Sequence, residues 1–320
     1  MSMKVLGIHH ITAIAGDPQS NIDFYSGLLG LRLIKVTVNF DDPGTYHLYY
    51  GDGAGHPGTI LTFFPWPHAP KGRHGVGQVT HTAFAIPLTA IDYWRDRLTL
   101  RGVSVQGPYQ RFDDSFLLFR DPDGMMIELV STAELDSARV HKDGAIPLNY
   151  AIHGLHSATL SEHNHQLTHT MLTETLGFNL INEHADRFRY SVGHGEAGAL
   201  IDVLHAPDQR PGSVLVGAVH HIAWRASNDQ EQLEWLDRIR EDGYSSSPVM
   251  DRKYFHSIYF REPGGILFEI ATDPPGFSVD ETLDELGSNL VLPPWLESSR
   301  RQLQAALPPL RLPAGIELHS

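Results

Sequence analysis

Gly7-Ile8-His9-His10-Ile11-Thr12 returns late in the chain as Ala218-Val219-His220-His221-Ile222-Ala223. Both are short, apolar-flanked runs of strand character, each opening a unit. Successive strand side chains point to opposite faces, so one histidine of each pair is expected to look into a shared cavity while its neighbour faces away. His10 and His221 are assigned to the cavity. Gly265-Ile266-Leu267-Phe268-Glu269-Ile270 adds an acid inside an otherwise apolar strand. A lone carboxylate is costly to bury unless a cation or strong donor meets it. His10, His221 and Glu269 on converging strands make the two-histidine, one-carboxylate face that leaves open positions on a non-haem Fe(II).

Phe119-Arg120-Asp121-Pro122-Asp123-Gly124-Met125-Met126-Ile127-Glu128-Leu129 matches Phe260-Arg261-Glu262-Pro263-Gly264-Gly265-Ile266-Leu267-Phe268-Glu269-Ile270 position by position. Each reads as a hairpin whose acid-Pro-x-Gly turn separates two apolar strands. Upstream of each lies a helical segment closed by Gly102 or Gly243, and before that a His-bearing strand. The unit is therefore strand, helix, three strands, and two fainter copies share it. In one, Asp17 caps a helix through Leu29 and strands follow near 32 to 40, 45 to 51 and 58 to 64; in the other, His156 lies on the first strand and a helix over 162 to 176 ends at Gly177. The expected organisation is an α+β chain of four βαβββ modules paired into two curved-sheet, open-barrel halves. Modules at about 5–65 and 78–131 fill an N-terminal half, 1–131. A linker, 132–152, leads to a C-terminal half, 153–273, with modules at about 153–206 and 217–273. A proline-rich tail, 274–320, carries one helix near 293 to 306 that covers a neighbouring surface.

Composition limits what this chain can do. Its 320 residues suffice for one large or two ordinary domains. With 24 Lys+Arg against 38 Asp+Glu, a formal charge of -14 and no basic run, nucleic acid and anionic membranes are poor partners. Cysteine is absent, which excludes disulfides, thiol catalysis and thiolate metal sites and fits a reducing cytoplasm. No apolar run approaches the ~20 residues of a membrane span. Other motifs point elsewhere: His165 and His169 lack a His-Glu-x-x-His context, Gly51-Asp52-Gly53-Ala54-Gly55 reads as a turn, and no Gly-x-Ser-x-Gly elbow is present.

Four βαβββ copies opened by His-Ile-Thr-type strands and closed by a Glu-bearing strand resemble the vicinal oxygen chelate superfamily of glyoxalases, bleomycin-resistance proteins and extradiol dioxygenases. The order His10, His221, Glu269 and the doubled histidines resemble, more narrowly, the hydroquinone ring-cleaving dioxygenases. That resemblance implies an oxidoreductase that opens hydroquinone-type aromatics with O2 at Fe(II), with Mn(II) left open. It places Tyr259 and Arg252 beside the metal and gives His9 and His220 supporting or proton-handling roles. Thr12, two positions beyond His10, shares its face, where its hydroxyl could hold a water or substrate oxygen. A glyoxalase-like isomerase or lyase and a sequestering protein of the bleomycin-resistance type are the alternatives. The implied partners are a small aromatic substrate and O2, with homo-oligomerisation left open.

The repeat permits three module pairings. Aligning first strands superposes His10, His81, His156 and His221; aligning last strands superposes Thr62, Glu128, Asp202 and Glu269. First with fourth collects His10, His221 and Glu269. Second with third collects His81, Glu128, His156 and Asp202, a second metal site or a polar network. Sequential pairing would mix the sets. First with fourth is favoured because the doubled histidines mark those two modules and because the resemblance to the hydroquinone ring-cleaving dioxygenases implies that pairing.

Overall fold

The module is legible in the order of elements, and the computed structural model describes residues 3–136, 139–194, 198–315 and 317–318. Parts of the expected linker (137–138) and tail (316, 319–320) lie outside the described residues. The first module comprises β1 (Ile8–Ala15), β2 (Arg32–Val38), β3 (Tyr46–Gly51) and β4 (Ile60–Pro65). The second has β5 (Gln78–Pro87), β6 (Gln106–Arg111), β7 (Asp114–Arg120) and β8 (Met126–Thr132); the third has β9 (Leu155–Glu162), β10 (Asn179–His184), β11 (Arg187–Ser191) and β12 (Leu200–His205). The fourth has β13 (Val219–Ala226), β14 (Met250–Asp251), β15 (Phe255–Arg261) and β16 (Leu267–Pro275).

A helix follows each opening strand. In the first module the Asp17 carboxylate accepts the Ser20 N–H at 2.7 Å and starts Pro18–Ile22, which widens into a π-type turn over Asp23–Leu28. The third repeats this from Asn164 through His165–Thr170 and Met171–Thr175, whereas the second and fourth hold plain α-helices, Ile91–Leu100 and Asp229–Glu241. Gly30, Gly102, Gly177 and Gly243 follow these helices with φ of +75, +77, +80 and +88°, a conformation that a Cβ would penalise.

Within each module the first and last strands pair in parallel, and the opening strands then join modules antiparallel, β1 to β13 and β5 to β9. The outcome is two eight-stranded sheets, β14-β15-β16-β13-β1-β4-β3-β2 and β10-β11-β12-β9-β5-β8-β7-β6. This α+β arrangement pairs first with fourth and second with third, so each sheet takes one module from each sequence half. Trp94, Trp224 and Trp235 are fully buried in the main apolar core. The tail joins it: Leu290, Leu292, Leu307, Leu310 and Leu312 are all buried, and burial of such a side chain contributes about 1.5–3 kcal/mol. Its helical part is a tight turn over Pro294–Ser299 followed by Arg300–Ala306, and Trp295 stays half exposed, edge-on to Phe40. Among the described residues no helix is long and apolar enough to cross a membrane.

Candidate metal centre

The centre of the first sheet is where β1 meets β13. Ile8 stands opposite Trp224 and His10 opposite Ala223; further along, Thr12 faces His221 and Ala13 faces Val219. One residue is therefore extra at His9 and another at His220: each strand carries a β-bulge. This changes the alternation expected for the histidine pairs. A bulge turns two consecutive side chains toward one side, so His9 and His10 meet through Nδ1 atoms 2.9 Å apart, and His220 and His221 through Nδ1 atoms 2.8 Å apart.

The Nε2 atoms of His10 and His221 converge 3.3 Å apart. Glu269 Oε2 lies 3.4 Å from the first and 2.9 Å from the second. All three residues are buried, and among the described residues theirs is the one grouping of three potential ligand atoms close enough to share an ion. Ligand bonds of about 2.1 Å at right angles span edges of about 3 Å, so this triangle fits one face of an octahedral ion. Oε2 also lacks an aligned hydrogen-bond donor despite its burial, whereas Oε1 accepts a short bond from the Ser257 hydroxyl. The donor set, two nitrogens and one carboxylate oxygen, suits a divalent first-row metal.

Electrostatics agree with that use. Burial alone would raise the Glu269 carboxyl, yet the imidazoles of His10 and His221 hold it well below the usual carboxylate range. Burial lowers His9 and His221, and it pushes His220 down to about 3, leaving these rings neutral at physiological pH.

A cavity of about 300 Å3 opens over the triad, with Phe40, Tyr49, Phe64, Trp66 and Phe255 among its walls. Thr12, His220, Arg252 and Tyr259 line it as well, whereas His9 is packed behind His10 and Phe255. Arg252 donates from Nε to the Tyr259 hydroxyl at 3.1 Å and reaches Asp41 at 3.0 Å with its terminal nitrogens, so its charge is directed away from Glu269. Burial, with Glu269 nearby, raises the Tyr259 phenol and keeps it protonated. A larger groove of about 1020 Å3 runs past Phe24 and Arg101, but it is shallow and carries no metal-ligand grouping among the described residues.

The second sheet answers its question differently. Ala223 stands opposite Glu269, Thr12 opposite Thr62, Ala83 opposite Glu128 and Thr159 opposite Asp202. Counting back two residues on each opening strand gives His221, His10, His81 and Ser157. His156 is thus not equivalent to His10, contrary to the sequence alignment; it occupies the bulge, as do His9, His220 and Thr80. Arg111 grips Glu128 with two bonds of 2.6 and 2.7 Å, and Asp202 takes Arg187 at 3.0 Å and Arg189 at 2.7 Å. His81 and His156 are both pushed down to about 4, chiefly by burial. Glu128 and Asp202 thus sit in an ion-pair network whose cations are guanidinium groups, while His81 bonds Thr80 at 3.1 Å and His156 bonds Ser157 at 3.0 Å.

Sequence reasoning missed Ser257, His47 and Tyr49, and it named Thr62 only as the position equivalent to Glu269. Ser257 lies two residues before Tyr259, and His47 two before Tyr49, so strand alternation was the available signal. His165 stacks on Phe188 and His169 bonds the Tyr190 hydroxyl at 2.9 Å, each occupied separately.

Residues 7–129 and 158–270 match the Glyoxalase/Bleomycin resistance protein/Dioxygenase superfamily. MhqO of Bacillus subtilis strain 168, provisionally named a ring-cleaving dioxygenase, is 46% identical over 98% of this chain and 99% of its own length. The chlorohydroquinone/hydroquinone 1,2-dioxygenase of Sphingobium indicum is 32% identical over 94% of this chain and 95% of its own. A crystal structure of a provisionally named dioxygenase from Bacillus subtilis superposes with a TM-score of 0.91 at 45% identity, covering 97% of this chain and 98% of the other.

Proposed function

The chain belongs to the Glyoxalase/Bleomycin resistance protein/Dioxygenase superfamily, and from that premise we propose that it is an Fe(II)-dependent dioxygenase that cleaves the ring of hydroquinone-type aromatics with O2. One observation carries the reading: a buried His10-His221-Glu269 triangle whose free carboxylate oxygen faces two imidazoles beneath an aromatic-walled cavity. The named activity of the relative from Sphingobium indicum supports the substrate class.

His10 and His221 would hold the ion through Nε2 and Glu269 through Oε2. A bound Fe(II) would supply positive charge that favours an ionised phenol and a redox centre for O2. The remaining work falls to the chain. With each Nε2 committed to the ion, the proton of each ligand imidazole sits on Nδ1, from which His10 donates to His9 and His221 to His220. The doubled histidines thereby lock both ligand tautomers. His220 then carries its own proton on Nε2, on a residue that lines the cavity. Tyr259 accepts from Arg252 and keeps its proton for donation to a ring or dioxygen oxygen. The aromatic walls accept a flat ring and keep bulk water from it.

The test is oxygen uptake by metal-loaded protein against a panel of hydroquinones and catechols, with metal measured on the same sample. Uptake matched by ring-opened product is expected with iron, and the metal analysis separates Fe(II) from Mn(II). His10→Ala, His221→Ala and Glu269→Ala should each lose metal and uptake together. Full metal loading with turnover of substrate and no oxygen consumed would favour a glyoxalase-like reaction and reject the dioxygenase.

A further inference from the structure

His47 sits on β3, in the same cavity as the triad. Its Nδ1 lies 2.8 Å from the Tyr49 hydroxyl and its Nε2 lies 2.8 Å from Thr62 Oγ1. Thr62 Oγ1 is in turn 2.9 Å from Thr12 Oγ1, and Thr12 lines the cavity beside His10. Tyr49 is 1% exposed and both threonines are fully buried.

The chain of bonds has only one satisfactory direction. Among the described residues, the Tyr49 hydroxyl has His47 Nδ1 as its hydrogen-bond partner. If that hydroxyl accepted there, its own proton would be buried with no acceptor. Tyr49 therefore donates and Nδ1 accepts. A neutral imidazole carries one proton, which must then sit on Nε2 and be donated to Thr62. Thr62, already accepting, donates to Thr12. The Thr12 proton is left over, on a residue that lines the cavity. Burial lowers His47 and raises Tyr49, consistent with a neutral ring and a protonated phenol.

The fourth module shows what these positions do elsewhere. Tyr49 stands opposite Thr62 as Tyr259 stands opposite Glu269, so His47 corresponds to Ser257 and Thr12 to Ala223. Where the fourth module places a carboxylate and its donor, the first places a hydroxyl chain begun by an imidazole. Ala223 indicates that the fold itself does not require the Thr12 hydroxyl.

We propose that His47 is a positioning residue: held as its Nε2–H tautomer by Tyr49, it orients the Thr62 and Thr12 hydroxyls so that Thr12 donates a hydrogen bond to an anionic oxygen of the bound aromatic. The assignment of that ligand as an ionised phenol rests on the function proposed above. A neutral donor meeting a charged oxygen gives the relay an effect of about 10- to 100-fold on binding.

The experiment uses metal-loaded full-length protein, with 4-nitrocatechol as a spectroscopic probe of ligand ionisation and hydroquinone as the turnover substrate. His47→Phe and Thr12→Val should each keep metal stoichiometry, weaken nitrocatechol binding about 10- to 100-fold and shift its bound spectrum toward the neutral phenol. For hydroquinone, KM should rise more than kcat falls. The double variant should be no weaker than Thr12→Val alone, because both changes break one chain. His47→Gln, which retains a donor to Thr62, should recover most of the binding. Additive losses, an unshifted bound spectrum, or a His47→Gln as weak as His47→Phe would each overturn the relay. If wild-type protein binds nitrocatechol with the expected variant pattern but consumes no oxygen with hydroquinone, the dioxygenase reading fails while the relay stands.

Discussion

Replacing Ser257 by alanine tests whether Glu269 is a ligand held in place by its neighbour. The hydroxyl is buried and donates to Oε1, leaving Oε2 turned toward His10 and His221. A hydrogen bond to a charged group contributes about 1.5–3 kcal/mol, which caps the effect near a factor of about 100. Part of that is lost whether or not metal is present and cannot appear in the affinity. The part that does appear is orientation: without Ser257 the two carboxylate oxygens can exchange places and the Oε2 lone pairs are no longer aimed. Loss of such an outer partner costs about 10- to 100-fold in metal affinity, and the ceiling above is compatible with that range. The assay is competition for Fe(II) or Mn(II) against a chromophoric chelator, paired with melting curves of loaded and metal-free protein. Each tenfold loss of affinity should remove about 1.4 kcal/mol of metal-induced stabilisation at fixed excess metal. A dissociation constant unchanged within a factor of about two, with both melting temperatures lowered equally, would make Ser257 a partner of the fold alone.

Two further substitutions probe features outside that centre. Arg111→Met strands Glu128, 1% exposed, without its two guanidinium bonds; urea denaturation should record a loss of about 3–5 kcal/mol, with metal content unchanged, and adding Glu128→Leu should restore most of it. Glu162 faces Glu262 where the third module meets the fourth, and burial followed by that like charge pushes its carboxyl up to about 9 from 4.5. A raised acid pKa stabilises the fold fully below 4.5, and the contribution is lost as pH rises toward 9. Glu162→Gln should therefore melt progressively higher than wild type between these limits; a gap independent of pH would show that the pair does not share a proton.

How much of this was written legibly in the chain follows from what each feature needs. The module was visible because its helices end on glycines at Gly30, Gly102, Gly177 and Gly243, where positive φ demands one, and because the acid-Pro-x-Gly turns repeat. The pairing of first with fourth module was visible because both carry doubled histidines. The bulges were not. A bulge at His9, Thr80, His156 or His220 adds one residue without the glycine that often marks such a site, so period-two counting turns His9 and His220 away from the side they share with His10 and His221. The same hidden residue explains why matching histidine to histidine misplaced His156 by one position: hydrogen-bond register aligns Ser157 with His10. Ser257 and His47 escaped because their importance lies in partners on neighbouring strands, which spacing along one strand does not reveal.

The two cups share one plan yet meet their buried carboxylates differently, and one position accounts for much of the divergence. In the fourth module the Tyr259 hydroxyl and Asp41 occupy Arg252, which leaves the charge of Glu269 without a guanidinium. In the second module Leu118 stands opposite Glu128 where Tyr259 stands opposite Glu269, so no hydroxyl detains Arg111, and it closes on the carboxylate. Around it, Glu128, Asp202 and Asp114 meet Arg111, Arg187 and Arg189, three charges against three. A buried carboxylate demands compensation in either cup. The second meets that demand with arginines from its own strands, while the first turns its arginine aside and sets the imidazoles of His10 and His221 against the carboxylate instead. The first cup is thus the one in which a divalent metal would find a carboxylate that no guanidinium holds.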